Sequence, residues 1–279
     1  MLVYNNDNLI ALLPANFVGN KIYSHQGLTY GGLLLAKNTS FENTISACQA
    51  LLVFLEKQQI KFLQLKLIPK IYHLQVSDEI DYLLFKLNAK NIRKDITSVI
   101  KGSQRLPIES SNRKRGIKKA IKNNLVVEEV DDFKMFWENI LIPNLQEAHN
   151  TNPVHTVDEI TFLKSKFSSN IKQYNAYKDD VIVAGVTIFE TDTVAHIQYI
   201  SSNPSGRTLG ALDFLINFLI NEKYANKKYF DFGISNENQG RNVNKGLLNW
   251  KESFGARSVI HDFHEIETSN HLLLNDLFI

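Results

Sequence analysis

The chain has 279 residues, 44% of them hydrophobic, with 31 Lys and Arg against 29 Asp and Glu for a net charge of +2. This length and apolar content allow one large or two medium domains with a core in each, and the charge balance excludes a wholesale polyanion binder, so any basic surface must be local. The single cysteine, Cys48, has no partner for an internal disulfide and lies among apolar residues of an expected helix, and no CxxC or HExxH metal signature occurs.

The N-terminal stretch LVYNNDNLIALLPA carries polar residues where a signal peptide needs a continuous apolar run, and no later run approaches the roughly 18 residues of a membrane span. A cytoplasmic location is therefore expected. The chain opens in strand-like sequence, which implies an abbreviated first half.

A hairpin, a third strand, a helix and a fourth strand then follow one another, and the same order recurs further on. The first copy reads NLIALLPA (8–15), LTYGGLLLA (28–36), a helix over about 42–58 and KFLQLKLIP (61–69). A turn-rich stretch, KGSQRLPIESS (101–111), sets the boundary between halves, 1–105 and 106–279. NRKRGIKKAIK (112–122) is an amphipathic basic helix with Arg115, Lys118, Lys119 and Lys122 on one face and Ile117, Ala120 and Ile121 on another. Such a face is either a solvated surface or a phosphate contact.

LVVEEV (125–130) reads as a strand and 131–149 as a long helix. Thr156, three residues before Glu159, forms a capping box that opens a helix to about Phe167. After the strand IKQYNAYK comes the second copy: VIVAGVTIFE (181–190), VAHIQYIS (194–201), a helix over about 206–224 and KKYFDFGIS (227–235). VNKGLLNWKESF (243–254) is helical in pattern with Gly255 placed to stop it, and the strand RSVIHDFHEI and a short helix over about 270–278 close the chain.

Strand alternation places His196, Gln198 and Ile200 on one face, and Tyr229, Asp231, Gly233 and Ser235 on one face of the next strand opposite Phe230, Phe232 and Ile234. Asp231 and Ser235 thus lie on the polar side of an otherwise core-like strand. His155 sits in the loop before a helix N-terminus, and Lys251 suits a carboxylate, a phosphate or a salt bridge.

From residue 125 onward the order of elements resembles the GNAT N-acyltransferase fold. The strings HQGLTYGG, NPVHTVDEI, AHIQYIS, YFDFGIS and WKESFGA resemble, over nearly the whole chain, the FemAB-like group of double-GNAT proteins, which includes peptidoglycan bridge-forming aminoacyltransferases. The resemblance implies an α/β protein of two GNAT-like halves, mixed sheets flanked by helices, that moves an acyl group from an acyl-coenzyme A donor to an amine of an envelope-sugar or related precursor, an aminoacyl-tRNA-dependent transferase being the runner-up. It implies no metal. It sets the strands of His196 and Asp231 side by side and casts these two as catalytic, a hydrogen-bonded structural pair being the other reading, with Ser201, Gly206, Arg207 and Gly210 as donor-binding, and His25, Tyr30, His155, Gln198, Tyr199, Ser235 and Lys251 as substrate-binding. In PSGRTLGALDFL, Arg207 and Gly210 match the coenzyme A loop pattern but Leu212 stands where a small residue belongs, and KNTSFENTIS in the first half has no such loop. A fold retained as a binding or assembly module without catalysis is the alternative of a different class.

Overall fold

In the computed structural model, residues 1–278 are described. They form two compact units that interleave along the chain. One comprises Met1–Ile96, Asn236–Val243 and Ile260–Ile279, the other Thr97–Ser235 and Asn244–Val259. A cut between residues 105 and 106 would separate 97–105 from the unit in which they pack.

The second unit is built on strands in the order Lys90–Lys101 (its last residues), Tyr229–Ile234, Val194–Ser202, Val181–Glu190, Ile171–Lys178 and Val126–Val130. All neighbours are antiparallel except Val194–Ser202 and Tyr229–Ile234, whose parallel pairing is confined to Val194 with Tyr229, Ala195 with Phe230 and His196 with Asp231. Parallel strands need a crossover, and here it is the helical stretch between them. On one face, Ala184, Val186, Ile188 and Ile197 pack with Ala120 and with Leu215, Ile216 and Leu219. On the other, Phe136, Trp137 and Ile140 pack with Tyr199 and Ile171.

The helices around this sheet differ from their sequence patterns in informative ways. The stretch 131–149 is a helical turn at Lys134–Phe136, a π-helical segment at Trp137–Leu141 and a helix at Ile142–His149. The capping box at Thr156 is present, with both of its hydrogen bonds, and opens the helix Val157–Lys166. The basic helix spans Ser111–Lys122, and Ile117 and Ala120 face inward as expected, but Ile121 is 57% exposed; Arg113 and Gly116 complete the packed face. Gly255 takes a left-handed conformation three residues beyond the helix Lys245–Glu252, as its position suggests.

In the first unit, Lys21–Tyr23 runs parallel to Phe62–Lys66, joined through the helix Phe41–Lys57, whose N-cap Ser40 accepts from the Asn43 amide. The expected strand over 28–36 is absent apart from Leu34–Leu35, which pairs with Asn8–Leu12 in a separate sheet. The reason lies in the backbone pairing. The Ser24 amide bonds to the Gln64 carbonyl and the next contact on that strand, to the Lys66 carbonyl, comes from Gly31, so 25–30 loop out. His25 and Tyr30 therefore lie on a loop. The strand Lys90–Lys101 has no counterpart in the sequence reading, although DITSVI carries the β-branched residues of a buried strand. Among the described residues, no helix is long and apolar enough to cross a membrane.

Gly210 breaks the crossover helix into Pro204–Leu209 and Ala211–Phe218. Its φ is +75°, and a Cβ there would lie 2.5 Å from the Gly116 carbonyl oxygen. Left-handed backbone and close approach to a main-chain oxygen act together, so Gly210→Ala is expected to destabilise the fold by about 2 kcal/mol or more. Denaturant unfolding checks it; an unchanged midpoint would show that the helix break adapts freely.

Candidate active site

The point where the parallel pairing ends gathers the candidate chemistry of the second unit. Beyond His196, the strand follows Val181–Glu190, with Tyr199 opposite Thr187 and Ser202 opposite Ala184. Beyond Asp231, Ile234 is opposite Thr97 on the other side. The two strands diverge from a shared root, and His196 and Asp231 are the last pair of that root.

His196 is 5% exposed and Asp231 fully buried. His196 Nδ1 lies 2.9 Å from Asp231 Oδ2. The second carboxylate oxygen accepts from the Thr97 hydroxyl and, at 2.9 Å, from the Gly233 amide. Three donors around one carboxyl suit the ionised form, which only accepts, and with Nδ1–H donating to Asp231 the Nε2 of a neutral His196 carries the lone pair. Thr97 comes from the strand Lys90–Lys101; its one sign in the sequence is the run of β-branched residues around it.

Gly233 is the hinge of this arrangement. Its φ of +76° places an extra residue between Asp231 and Ile234 against the partner strand, a bulge. Its amide reaches back to Asp231, and its carbonyl and that of Ile234 each accept from Lys251 Nζ at 2.7 Å. The bulge shifts the alternation: Ile234, 39% exposed, shares the face of Asp231, and Ser235 does not. A second bulge, in the strand of His196, pairs Ile197 with Ile188 and Tyr199 with Thr187, leaving Gln198 as the extra residue. His196 therefore shares its face with Tyr199 and Ser201, not with Gln198 and Ile200. Strict alternation fails at both positions because each strand carries one residue more than its neighbour.

Tyr199 brings His155 to this face. Its hydroxyl oxygen accepts from the His155 amide at 3.1 Å and lies 2.6 Å from His155 Nδ1, while the His155 carbonyl accepts from Trp137 Nε1 at 3.3 Å. Burial holds the His155 imidazole below its usual range and the Tyr199 phenol above its own, so both are neutral near pH 7.

The loop around Asn203 to Gly210 is closed on itself. Asn203 caps the helix Pro204–Leu209 by accepting from the Gly206 amide at 2.8 Å, the Gly210 amide bonds to the Arg207 carbonyl, and Arg207 Nη1 donates to the Ser202 carbonyl at 3.2 Å. Asn144 donates to the Ser201 hydroxyl at 2.7 Å and to the same Ser202 carbonyl at 2.8 Å. Ser201, Gly206, Arg207 and Gly210 are thus brought together, with both glycine amides and the guanidinium engaged internally. His25 and Tyr30 belong to the first unit, where Tyr30 stacks on Tyr72 with ring centroids 4.4 Å apart. Among the described residues, no cluster of three or more His, Cys, Asp or Glu is placed to hold a metal.

No protein-family model and no curated protein matches the chain. Solved structures do. The chain is similar to FemX, with a TM-score of 0.65 at 10% identity over 98% of this chain and 89% of that one. It is similar to L-PGS from Bacillus licheniformis, with a TM-score of 0.63 at 10% identity over 95% and 85% of the two chains. The chain has a fold of two GNAT-like halves. A tandem GNAT protein from the clavulanic acid biosynthesis pathway shares that fold with a TM-score of 0.51 at 9% identity, over 96% of this chain and 82% of its own.

Burial lowers the pKa of Lys251 from 10.5 to about 8, partly offset by the nearby Asp231 charge. The folded state thus gives up this proton before the unfolded chain does, so stability rises as pH climbs from about 8 toward 10.5. A neutral amine still has the N–H groups for both carbonyls. Lys251→Met should remove this rise while leaving the Gly233 and Ile234 carbonyls without this donor. Parallel pH dependences of stability for parent and variant between pH 7.5 and 10 would refute the assignment.

Proposed function

We propose that the second unit transfers an acyl group to an amine, with His196 as general base. The observation that carries this reading is the His196–Asp231 pair at the root of the diverging strands, with Nδ1 bound to a fully satisfied carboxylate. The acceptor amine attacks the acyl carbonyl, Nε2 of His196 takes the proton, and the carrier leaves. Asp231 positions the imidazole and stabilises its cation, Thr97 and Gly233 position Asp231, and the neutral His155–Tyr199 pair orients the acceptor on the same face. The acceptor class is an amine of an envelope-sugar or related precursor.

The donor is either an acyl-coenzyme A or an aminoacyl-tRNA, the two carriers that the FemAB resemblance offers. The closed loop at Asn203 to Gly210 favours the second, because a pyrophosphate would have to compete with Asn203 and the Arg207 carbonyl for the amides it needs. The exposed Lys118, Lys119 and Lys122 of the helix Ser111–Lys122 supply a surface for the carrier's phosphates.

The test begins with the donor. Aminoacyl-tRNA should bind with steep salt dependence, and reversing Lys118 and Lys122 to Glu should weaken it, while coenzyme A shows no saturable heat by calorimetry. Tight coenzyme A binding lost in Arg207→Glu would restore the thioester donor. With a donor in hand and amino sugars as acceptors, His196→Gln should lower turnover by about 100-fold or more with donor affinity nearly unchanged. A large loss of melting temperature with normal activity per folded molecule would instead make His196 structural.

A further inference from the structure

The first unit holds a cavity of about 490 Å³ where its own strands part. Lys21–Tyr23 and Phe62–Lys66 run parallel, Gly31 still bonds to the Lys66 carbonyl, and there the chains separate. Leu34 and Leu35 join Asn8–Leu12, whereas the Leu67 amide bonds to the Asp262 carbonyl. Leu33, Leu35, Leu67, Ile68, Ile80 and Ile260 all line the space between, and none of the six is fully buried. So many half-covered aliphatic side chains around one space favour an apolar occupant, and the volume lies within the range of small-molecule sites.

The polar groups at this cavity narrow the choice. Lys70 is held by Asp78 at 2.6 Å and Asp81 at 3.6 Å, Asp262 is paired with Lys94, and Glu79 accepts from Ser77. Lys37, which also lines the cavity, has no carboxylate within ion-pair distance among the described residues. The lining thus joins aliphatic walls to Lys37 and to Glu79, a carboxylate that also lacks an ion-pair partner among the described residues but is held by Ser77, so the ammonium of Lys37 is the lining cation open to an anion. Of the two aromatic rings in the lining, Tyr72 is already packed against Tyr30 and His73 Nε2 lies 3.2 Å from the Ile68 carbonyl, which disfavours a nucleobase.

We propose that this cavity binds the hydrocarbon chain of an anionic amphiphile, with the anionic head at Lys37. The proposal is independent of the transfer chemistry of the second unit. Two sources offer that ligand, a soluble acyl carrier and a membrane lipid. Leu74, a lining residue 77% exposed, and Val76, 90% exposed, stand where a bilayer would meet the cavity.

The experiment measures binding of dodecanoate to the full chain by calorimetry, below its micelle concentration. Saturable binding is expected, weakening about tenfold for each two methylenes removed through decanoate and octanoate, as burial of a chain requires. Ile260→Trp places an indole in the cavity from a residue 39% exposed. It should weaken dodecanoate at least tenfold with an unchanged melting temperature. Lys37→Glu, at an exposed position, should weaken dodecanoate several-fold but leave neutral decanol unaffected. No saturable binding, affinity independent of chain length, or parent-like binding by Ile260→Trp would overturn the pocket; equal effects of Lys37→Glu on charged and neutral chains would overturn the head assignment. Binding of dodecanoyl-coenzyme A without cosedimentation on phosphatidylglycerol vesicles identifies the soluble source. Cosedimentation lost in Leu74→Ser with Val76→Ser identifies the membrane.

Discussion

The second unit depends on one buried carboxylate. Asp231, fully inaccessible, survives as an acceptor only because the Thr97 hydroxyl, the Gly233 amide and His196 Nδ1 all point at it. An isolated carboxylate at that depth would cost far more than a single hydrogen bond returns. Each donor comes from a different structural circumstance: the antiparallel neighbour, the bulge two residues on, and the parallel neighbour. The carboxylate therefore ties three strand segments together at the place where the parallel ladder stops. Removing any one donor loosens the root as well as the histidine.

Two extra residues decide what that root can present. Gly233 adopts a conformation costly to a residue with a side chain, and in doing so offers its amide to Asp231 and its carbonyl to Lys251. The buried ammonium at the end of Lys251 is expensive, and its depressed pKa records that cost, yet it satisfies two carbonyls that the bulge takes out of the ladder. In the adjacent strand the bulge at Gln198 turns Tyr199 toward the face of His196, which is how His155 comes to lie there. The geometry arises from departures from regular pairing as much as from the pairing itself.

That explains which parts were legible in the sequence. The hairpin Val181–Glu190 and Val194–Ser202, the capping box at Thr156 and the stop at Gly255 follow from local periodicity and end signals, the adjacency of His196 and Asp231 follows from the family resemblance, and all of them stand in the structure. Face assignments past Gln198 and Gly233 do not follow, because an alternation rule holds no information about the length of the opposing strand. Thr97 was invisible for a similar reason: nothing local distinguishes it from a core threonine until its strand is set beside Asp231. The loop at 25–30 reads as strand by composition, and only the pairing of Ser24 and Gly31 with one neighbour shows that the residues between them are extruded.

The two units share a plan without sharing residues. Each has a short parallel pairing whose members then take different partners, which leaves a wedge between them. In the second unit the root of that wedge is polar, and the loop beyond it has spent its amides on Asn203 and Arg207. In the first unit the strand residues Ile22, Leu63 and Leu65 put apolar side chains into the core at the corresponding place, and the wedge beyond opens onto leucines. The same divergence of strands thus meets a buried dyad in one unit and an aliphatic cavity in the other. The difference follows from side chains alone: a carboxylate at a buried root demands donors and builds a polar site around itself, whereas leucines make no such demand and leave a space that favours hydrocarbon over water.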